Sequence, residues 1–483
     1  MAINDRRGLE NALTAIEDQL VLDATNLDLQ VQRAGLLAAL AHTELARQAY
    51  LAVLRQDPTH FAALINFGVL LHETNFTTAA RTLFGEAVAR HPGEPLAHVN
   101  LANILMYDDE LNLARSHLET ALSLDPDNIH AHQRLSGILH ELGDTAGMQR
   151  HRQLGFAGQP TQSFPYLGDG EGVPLVVLTS TPGGDIAWTK LIDPYRFAVT
   201  SVVAAFHDPE APLPPHRLIL NAIGDADLSG SDLTAAAALT AGSAAPVLND
   251  PIRVLATGRQ ANAARLGDLP GVVAPRMVQV SRAELADDGV VDRLALEGLH
   301  FPLLLRSLGF HTGRNFVRVD EPQRLAGVAA TLPGLNLNVI ERLDARGADG
   351  LSRKYRVMMI NGALYPLHLA IATDWKVHYA TAAMADNPAL REEEARFLDD
   401  MPRVLGERCM EALENVQTVL GLDYAGVDFA VSRTGDLLLF EANAVMNIIP
   451  PDDAAQWDYR RNAVARALAA ARDMFAQRAA SRS

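Results

Sequence analysis

The sequence contains 483 residues, of which 48% are hydrophobic and 20% are charged, with a formal net charge of −17 at pH 7. This composition is typical of a soluble globular chain of about three domains, and no apolar run approaches the roughly 18 residues of a membrane span. The acidic balance argues against sequence-independent binding to nucleic acid or to an anionic membrane, which needs a basic surface. The charged N-terminus lacks the apolar core of a signal peptide, so we expect a cytoplasmic protein. The single cysteine, Cys409, excludes an intramolecular disulfide and a cysteine-based zinc cluster.

Three prolines mark a repeat in the first third of the chain, since Pro58, Pro92 and Pro126 are each 34 residues apart. This is the period of tetratricopeptide repeats, in which small residues let paired helices approach and large residues fill the layer between them. The positions that fit are Leu64, Phe67, Gly68, Leu71, Ala80, Phe84 and Ala87 in one unit and Leu101, Ala102, Leu105, Ala114, Leu118 and Ala121 in the next. The sequence therefore predicts an α-solenoid over residues 1–154, a scaffold that commonly binds peptide segments. Self-association or support of the following domain fits the pattern equally well.

A Gly- and Pro-rich linker is predicted for residues 155–172, and a small α/β domain for residues 173–255. Its expected strands begin at "VPLVVLTST" and continue at residues 218–223 and 246–251, with the Ala-rich helix "DLTAAAALTAGSAA" between the last two. Strands that alternate with helices favour a parallel sheet. Residues 256–483 then form the last predicted domain.

Two carboxylates interrupt the apolar hairpin "DYAGVDFAVSRTGDLLLFEANA" in this last domain. A two-residue turn at Thr434 and Gly435 places Asp428 directly opposite Glu441, with Asn443 on the same face. Like charges that face each other across a ladder are destabilising, and Mg²⁺ prefers oxygen ligands of this kind. The hairpin therefore predicts a magnesium site. The alternative is a solvated edge hairpin whose register slips by one residue and separates the two acids.

A second hairpin is predicted around the Asn-Gly turn at residues 361–362, the strongest short turn signal. This turn puts Lys354 and Arg356 on one face of their strand and places Tyr355 across from His368 on the other. Cations at the start of an otherwise apolar strand are unusual. They indicate an anionic ligand.

The segment "FPLLLRSLGFHTGRNFVRVD" combines a buried strand over residues 302–305, which ends at Arg306, with a glycine-containing loop. The loop contains Gly309, His311, Thr312 and Gly313, and a second strand follows at residues 315–319. Backbone N–H groups of such a loop can wrap phosphate oxygens. By itself the segment also fits an ordinary surface hairpin with an interfacial arginine.

The order of these pieces resembles the ATP-grasp superfamily, whose two α+β halves clamp ATP and magnesium between sheets. The residues that carry the resemblance are the glycine loop after Arg306, then Glu341 after the strand in "LNVIERLD", then Arg356, and finally "AGVDFAV" and "LLLFEAN". The chain looks most similar to the ribosomal-protein glutamate ligases. The resemblance covers about residues 173–453. It implies an α+β multidomain chain, with an N-terminal α-solenoid, a small α/β pre-ATP-grasp domain and a C-terminal ATP-grasp domain.

The same resemblance implies roles for individual residues. It assigns Asp428, Glu441 and Asn443 to magnesium, and it places catalytic groups at Arg356, Lys376 and His378 in and after the second hairpin. The residues that it places around ATP are Arg259, Arg306, Gly309, His311, Thr312, Gly313, Glu341, Arg342, Leu343 and Lys354. Arginine stands at both positions, 259 and 306, where members of the family carry a phosphate-binding lysine, which preserves the charge and alters the geometry. Members of the family often carry a Pro-Gly turn after the Glu-x-Asn triplet, and this sequence has no such turn there.

The activity implied is that of an ATP-dependent ligase which joins a carboxylate to an amine through an acyl phosphate. Small-molecule or peptide substrates are expected, with a peptide or protein partner held near the repeat array. Two alternatives remain: an ATP-grasp phosphotransferase, and a repeat-based protein-binding adapter with a regulatory nucleotide site. The final helix, in "DYRRNAVARALAAARDMFAQRAASRS", is expected either to pack back on the domain or to form a homodimer.

Overall fold

The computed structural model describes residues 6–74, 76–108, 110–181, 183–308, 313–377, 384–451 and 454–480. The chain divides into two compact units: the first consists of Met1–Pro174 and Pro194–Ser201, and the second of Leu175–Asp193 and Val202–Ser483.

The first unit is a helical array. Its helices are α1 (Arg6–Leu22), α2 (Leu27–Ala39), α3 (Thr43–Gln56), α4 (Phe61–Glu73), α5 (Thr77–Arg90), α6 (Pro95–Tyr107), α7 (Leu111–Leu124), α8 (Ile129–Glu141) and α9 (Thr145–Phe156), followed by the short strand β1 (Thr161–Ser163). The helices α4, α6 and α8 begin at residues 61, 95 and 129, which are 34 residues apart. Each of the three prolines lies in the turn before one of these helices, because proline cannot continue the helix that precedes it. The predicted tetratricopeptide array is confirmed.

Close packing between paired helices depends on small residues, as the sequence predicts. At Gly68 on α4, an added Cβ atom would lie 2.5 Å from Cε1 of Phe84 on α5, so only glycine admits the aromatic ring there. Phe84 is 2% exposed and belongs to the core of the array. In the same core the rings of Tyr50 and Phe67 stack with their centroids 5.7 Å apart.

The second unit contains a small parallel sheet, as predicted for this part of the chain. The strands β2 (Val173–Thr179) and β3 (Phe197–Val203) each begin in the first unit and end in the second, and β4 (Leu218–Asn221) and β5 (Val247–Leu248) follow. Strand β4 pairs in parallel with β2 on one side and β5 on the other. The helix α10 (Gly230–Ala241) connects β4 to β5, and α11 (Pro251–Leu255) and α12 (Arg259–Gly267) come next.

Two further sheets in the second unit are mainly antiparallel. The first has the order β7-β10-β8-β9 and the second the order β12-β11-β13-β14-β6. The strands are β6 (Val272–Val273), β7 (Met277–Ser281), β8 (Leu303–Ser307), β9 (Phe316–Val319), β10 (Asn336–Glu341), β11 (Ser352–Ile360), β12 (Ala363–Ala372), β13 (Tyr424–Val431) and β14 (Leu437–Asn443). The remaining helices are α13 (Arg282–Leu285), α14 (Val290–Leu296), α15 (Leu325–Thr331), α16 (Pro388–Asp399), α17 (Met401–Leu405), α18 (Glu407–Leu420) and α19 (Asp458–Ala480). Of these, α19 packs back on β11 and β12.

Arg306 lies within its strand, not at the end as predicted. Strand β8 continues to Ser307 because Arg306 pairs with Asn338 of β10 on one side and with Phe316 of β9 on the other. The ladder therefore holds the backbone of Arg306 on both edges.

A β-bulge makes one predicted cross-strand pair wrong. The ladder starts at the expected turn, with Ile360 opposite Ala363, and keeps that register to Val357. A bulge between Arg356 and Val357 then shifts the pairing by one residue, so that His368 lies opposite Arg356 and not Tyr355.

The carboxylate hairpin has the predicted pair of Asp428 and Glu441, but its loop differs from the predicted one. Its loop is one residue longer than expected, because the Ser432 N–H donates to the carbonyl oxygen of Asp436 at 2.8 Å, and Gly435 adopts a φ of 84°. A two-residue turn at Thr434 and Gly435 would pair Arg433 with Asp436, and that expected pairing is therefore wrong. A bulge between Asp428 and Phe429 restores the register, and Asp428 lies opposite Glu441.

Candidate functional site

The centre of the candidate site is Asp428, which is 4% exposed on the middle strand β13. Its neighbour on β11 is Arg356, whose Nε donates to Oδ1 at 2.6 Å and whose Nη2 donates to Oδ2 at 2.8 Å. Lys354 lies two residues earlier, on the same face of the strand, and its Nζ donates to Oδ2 at 3.0 Å. Burial disfavours the ionised carboxylate, but the charges of Arg356 and Lys354 outweigh it and hold the pKa of Asp428 well below its usual range.

Glu441, on the next strand, has its own cation. Arg259 at the start of α12 donates from Nη2 to Oε1 of Glu441 at 2.6 Å, and Nδ2 of Asn443 donates to the same oxygen at 2.7 Å. Burial raises the pKa of Glu441, while Arg259 and Arg306 lower it to about 2. The two opposed carboxylates are thus compensated by separate cations. This is why they tolerate their position across the ladder.

Asp227, which was not among the predicted site residues, fixes the position of Arg259. Both carboxylate oxygens of Asp227 accept the backbone N–H of Arg259, at 3.2 and 3.0 Å, and burial raises the pKa of the Asp227 carboxyl. Asp227 follows β4 in the loop that also contains Gly224, where an added Cβ would lie 2.9 Å from the backbone of Val445. Ligand sites in α/β sheets commonly lie at the carboxyl ends of parallel strands. The segment "NAIGDAD" at the end of an apolar strand is therefore the sequence signal that could have indicated Asp227 as a site residue.

Arg306 and Lys376 form a second group of cations. The guanidinium of Arg306 lies 5.4 Å from the centre of the Phe316 ring, and Nζ of Lys376 donates to the Phe316 carbonyl oxygen at 3.3 Å. Burial and the charge of Arg259 lower the pKa of Arg306 to about 10. Burial and the charge of Arg306 lower the pKa of Lys376. Cations that disfavour one another's charge in this way form an environment that suits an anion.

The other predicted site residues contribute less to this arrangement. Glu341 accepts the backbone N–H of Arg276 through Oε2 at 3.0 Å, so its carboxylate supports the pairing of β10 with β7. Nη2 of Arg342 lies 3.8 Å from Oδ1 of Asp344, and the side chain of Leu343 is half-buried. An added Cβ at Gly313 would lie 2.7 Å from Cε of Lys376, which places the end of the predicted phosphate loop beside that lysine. The predicted residues Gly309, His311, Thr312 and His378 lie outside the described residues.

A small cleft opens between the loop after β4, the start of α12 and strand β14. It encloses about 440 Å³ of empty space, part of it open to solvent. Its lining includes the charged Asp225, Asp227, Arg259 and Glu441 and the apolar Met277 and Leu439. The cleft therefore joins an apolar wall to the charged residues of the site.

The predicted magnesium ligands have suitable chemistry, but their arrangement does not fit the ion. Both oxygens of Asp428 accept bonds from cations, and Asn443 turns its amide nitrogen to Glu441 and its oxygen to the N–H of Val445 at 3.1 Å. Among the residues that the structure describes, no three His, Cys, Asp or Glu side chains are grouped so that they could hold a metal ion. In this arrangement arginine and lysine supply the positive charge beside the two carboxylates.

No helix in the described parts of the chain has both the length and the apolar character needed to cross a membrane.

Comparisons with known proteins give matches among solved structures. No protein-family model matches the sequence, and no curated protein matches it either. Among solved structures, MamA from Desulfovibrio magneticus is 24% identical, with a TM-score of 0.27, over 30% of this chain and 81% of its own. PilF of Pseudomonas aeruginosa is 19% identical, with a TM-score of 0.30, over 32% of this chain and 70% of its own. A tetratricopeptide-repeat protein of Thermus thermophilus is 15% identical, with a TM-score of 0.29, over 32% of this chain and 84% of its own.

The N-terminal unit is nevertheless an array of tetratricopeptide repeats by its own geometry. Helix starts at 34-residue intervals, prolines in the turns and the Gly68–Phe84 contact define that class of helical repeat.

Proposed function

We propose that this chain is a repeat-based protein-binding protein. The supporting observation is a cleft in the array between α7, α8 and α9, with about 760 Å³ of empty space that is partly open to solvent. Leu135 and Leu139 form its apolar floor, and both residues are less than 4% exposed. The charged side chains on its lining are Arg115, Glu119, Asp144 and Arg150. A peptide with one apolar anchor side chain between charged neighbours matches this chemistry, because such anchors supply most of the binding energy at interfaces.

A displayed library of random peptides, selected on the full-length protein, tests this proposal. We expect the selected peptides to bind Arg150→Glu at least tenfold more weakly, because the reversed charge changes the lining of the cleft. Arg55→Glu is the matched control, since Arg55 is exposed on α3 away from the cleft, and it should bind them as the wild type does. Peptides that bind all three proteins equally, or a selection that yields none above background, would contradict a binding site at this cleft.

We further propose that the second unit binds ATP in the manner of ATP-grasp enzymes. What supports this is a group of five cationic side chains, three of which bond the two opposed carboxylates, beside a cleft with an apolar wall. The cations are Arg259, Arg306, Lys354, Arg356 and Lys376. A polyphosphate would relieve the repulsion between Arg259 and Arg306 and would be held chiefly by charge and position, which is what phosphoryl transfer demands.

The reaction that we propose for this site is the ligation of a carboxylate to an amine. An oxygen of the substrate carboxylate attacks the γ-phosphorus, ADP leaves, and an acyl phosphate forms. The amine nitrogen then attacks the carbonyl carbon and loses a proton, phosphate leaves, and an amide bond is formed. Arg306 and Lys376 would neutralise the phosphate oxygens. Arg356 and Lys354 are bonded to Asp428, so in this arrangement they position that carboxylate rather than contact a substrate.

ATP turnover in the presence of magnesium, pooled amino acids and peptides separates the possibilities. ADP and free phosphate that appear only with both a carboxylate and an amine would support a ligase, and ADP without free phosphate would support a phosphotransferase. Glu441→Gln should abolish turnover. Glu393→Gln is the control, because Glu393 bonds Arg353, which points to the other face of β11. Absence of ATP binding in the wild type would contradict the nucleotide site and leave peptide binding by the array as the function.

A further inference from the structure

Two pairs of histidines occupy equivalent places in consecutive repeats of the array. His98 on α6 meets His117 on α7 with 3.0 Å between their Nδ1 atoms, and His132 on α8 meets His151 on α9 with 2.8 Å between theirs. The ring planes are tilted by 36° and 37°. The two pairs are 34 residues apart, since 132 − 98 and 151 − 117 both equal 34. Each pair joins the two helices of one repeat; we call His98 and His132 the inner and His117 and His151 the outer histidines.

The second partner of each inner histidine fixes where its proton lies. Nε2 of His98 is 3.1 Å from the carbonyl oxygen of Pro92, and Nε2 of His132 is 3.0 Å from that of Pro126. A ring nitrogen that faces a carbonyl oxygen must donate, so Nδ1 of the neutral inner ring carries the lone pair. The outer histidine then donates its Nδ1–H to that lone pair. Both inner rings are 6% exposed, so they have little access to other partners.

This arrangement limits how many protons a folded pair can hold. The outer ring can accept one proton on its Nε2 and still donate from Nδ1. A second proton would have to go to Nδ1 of the inner ring, and two N–H groups would then face each other across 3.0 Å or less. In the unfolded chain each histidine takes up its own proton below about pH 6.5. The unfolded state therefore binds at least one proton more per pair than the folded state.

The surroundings of the outer rings act in the same direction. Burial, followed by the charge of the inner partner, lowers the pKa of His117 and of His151. Arg150 adds to this effect at His151, and Asp144 and Glu119 oppose it. His151 shares the cleft with four charged side chains: Arg115 and Glu119 of α7, Asp144 just before α9, and Arg150 on α9. One repeat earlier, the residues equivalent to Arg115 and Asp144 are Arg81 of α5 and Glu110, which form a hydrogen bond of 2.6 Å.

We propose that the two histidine pairs make the segment α6–α9 sensitive to pH, closed above about pH 6.5 and progressively looser as the pH falls below it. The sign follows from linkage: where the open state binds more protons, lowering the pH favours it, and each linked proton changes the opening equilibrium about tenfold per pH unit. The array thereby responds to acidification in its last two repeats, while α2–α5, where the described residues contain no such pair, do not respond in this way.

Hydrogen exchange of the full-length protein at pH 7.5 and pH 5.5, corrected for the intrinsic pH dependence of exchange, tests the proposal. We expect the protection of α6–α9 to fall at least tenfold more than that of α2–α5. In the double variant His117→Asn/His151→Asn this additional loss should disappear, since the Asn amide nitrogen replaces the Nδ1–H donor and cannot be protonated. His130→Asn, at an exposed position on α8, should behave as the wild type.

Equal losses of protection in the wild type and the double variant, or no additional loss in the wild type, would overturn the proposal. If the double variant fails to fold, the histidines of the wild type are titrated by NMR. The proposed pH sensitivity is supported if the outer rings titrate below pH 6.5 and lose their Nδ1–H resonances together with the protection of α6–α9. Rings that titrate at or above pH 6.5 overturn it.

Discussion

Arg356 binds both carboxylate oxygens of Asp428, with Nε 2.6 Å from Oδ1 and Nη2 2.8 Å from Oδ2. The side chain of Asp428 is 5% exposed, so this bidentate pair keeps the carboxylate ionised inside the sheet. Lys354 supplies a second positive charge. A buried charge that loses one partner is costly, even where the intact pair contributes little. The consequences can be measured separately for the two units, because Trp188, Trp375 and Trp457 all lie in the second unit.

Arg356→Met should lower the free energy of unfolding of the second unit by about 3–5 kcal/mol, because it leaves Asp428 with Lys354 alone. Urea titration followed by tryptophan fluorescence measures this. The double variant Arg356→Met/Asp428→Asn should lose less than the sum of the two single changes, since it removes the stranded charge together with its partner. Strict additivity would mean that the two side chains do not depend on each other.

Glu441→Gln should affect stability in a pH-dependent manner. The pKa of Glu441 is lowered to about 2 in the folded state, against 4.5 ordinarily, so the ionised form stabilises the fold above pH 4.5 and this contribution is lost as the pH falls toward 2. The difference in unfolding free energy between the wild type and Glu441→Gln should therefore shrink over that window. Glu414→Gln, at an exposed position on α18, is the control for the substitution itself.

The contribution of Asp185 to stability should depend on pH in the opposite direction. Burial raises its pKa to about 7, although the Ser180 N–H reaches both carboxylate oxygens at 3.1 and 3.2 Å. The folded state thus holds a proton that the unfolded state releases near pH 3.8, and stability present at low pH is lost as the pH rises to about 7. We expect Asp185→Asn to match the wild type at pH 4 and to be more stable at pH 8 in urea titrations. A wild type that is the more stable at pH 8 would contradict this.

Cys409 should not react with a thiol reagent at pH 8 in the native protein. It is fully buried on α18, and burial raises its pKa to about 12, so almost no thiolate is present. Release of thionitrobenzoate after addition of the reagent gives the rate, which should follow unfolding of the second unit. Thr418→Cys, exposed on the same helix, is the control and should react within the mixing time.

Gly68→Ala should destabilise the array by about 1–3 kcal/mol through overpacking, since the new methyl group would meet the ring of Phe84. Gly85→Ala is the matched control on α5, because an added Cβ there meets nothing within 4 Å. That change should stabilise the array by about 0.5–1 kcal/mol through helix propensity. Far-UV circular dichroism during thermal unfolding, compared with the tryptophan fluorescence of the second unit, separates unfolding of the array from that of the second unit. Equal effects at both glycines would contradict the close contact.

The features that depend on short-range periodicity can be predicted from the sequence. The spacing of Pro58, Pro92 and Pro126 predicts the repeats because each repeat folds mainly against its neighbours. The turn at residues 361–362 predicts where its hairpin begins, since few residues adopt the backbone conformation that the turn needs. The opposition of Asp428 and Glu441 also follows from the sequence, although two one-residue differences, in the loop and at the bulge, cancel to produce it.

The charges that compensate these carboxylates cannot be predicted in this way, because they come from distant parts of the chain. Arg259 lies 182 residues from Glu441 in the chain, and Lys354 lies 74 residues from Asp428. Periodicity places a side chain on a face of its own strand or helix, but it carries no information on which distant element packs against that face. The bulge that sets His368 opposite Arg356, the role of Asp227 and the meeting of His98 with His117 depend in the same way on packing between elements.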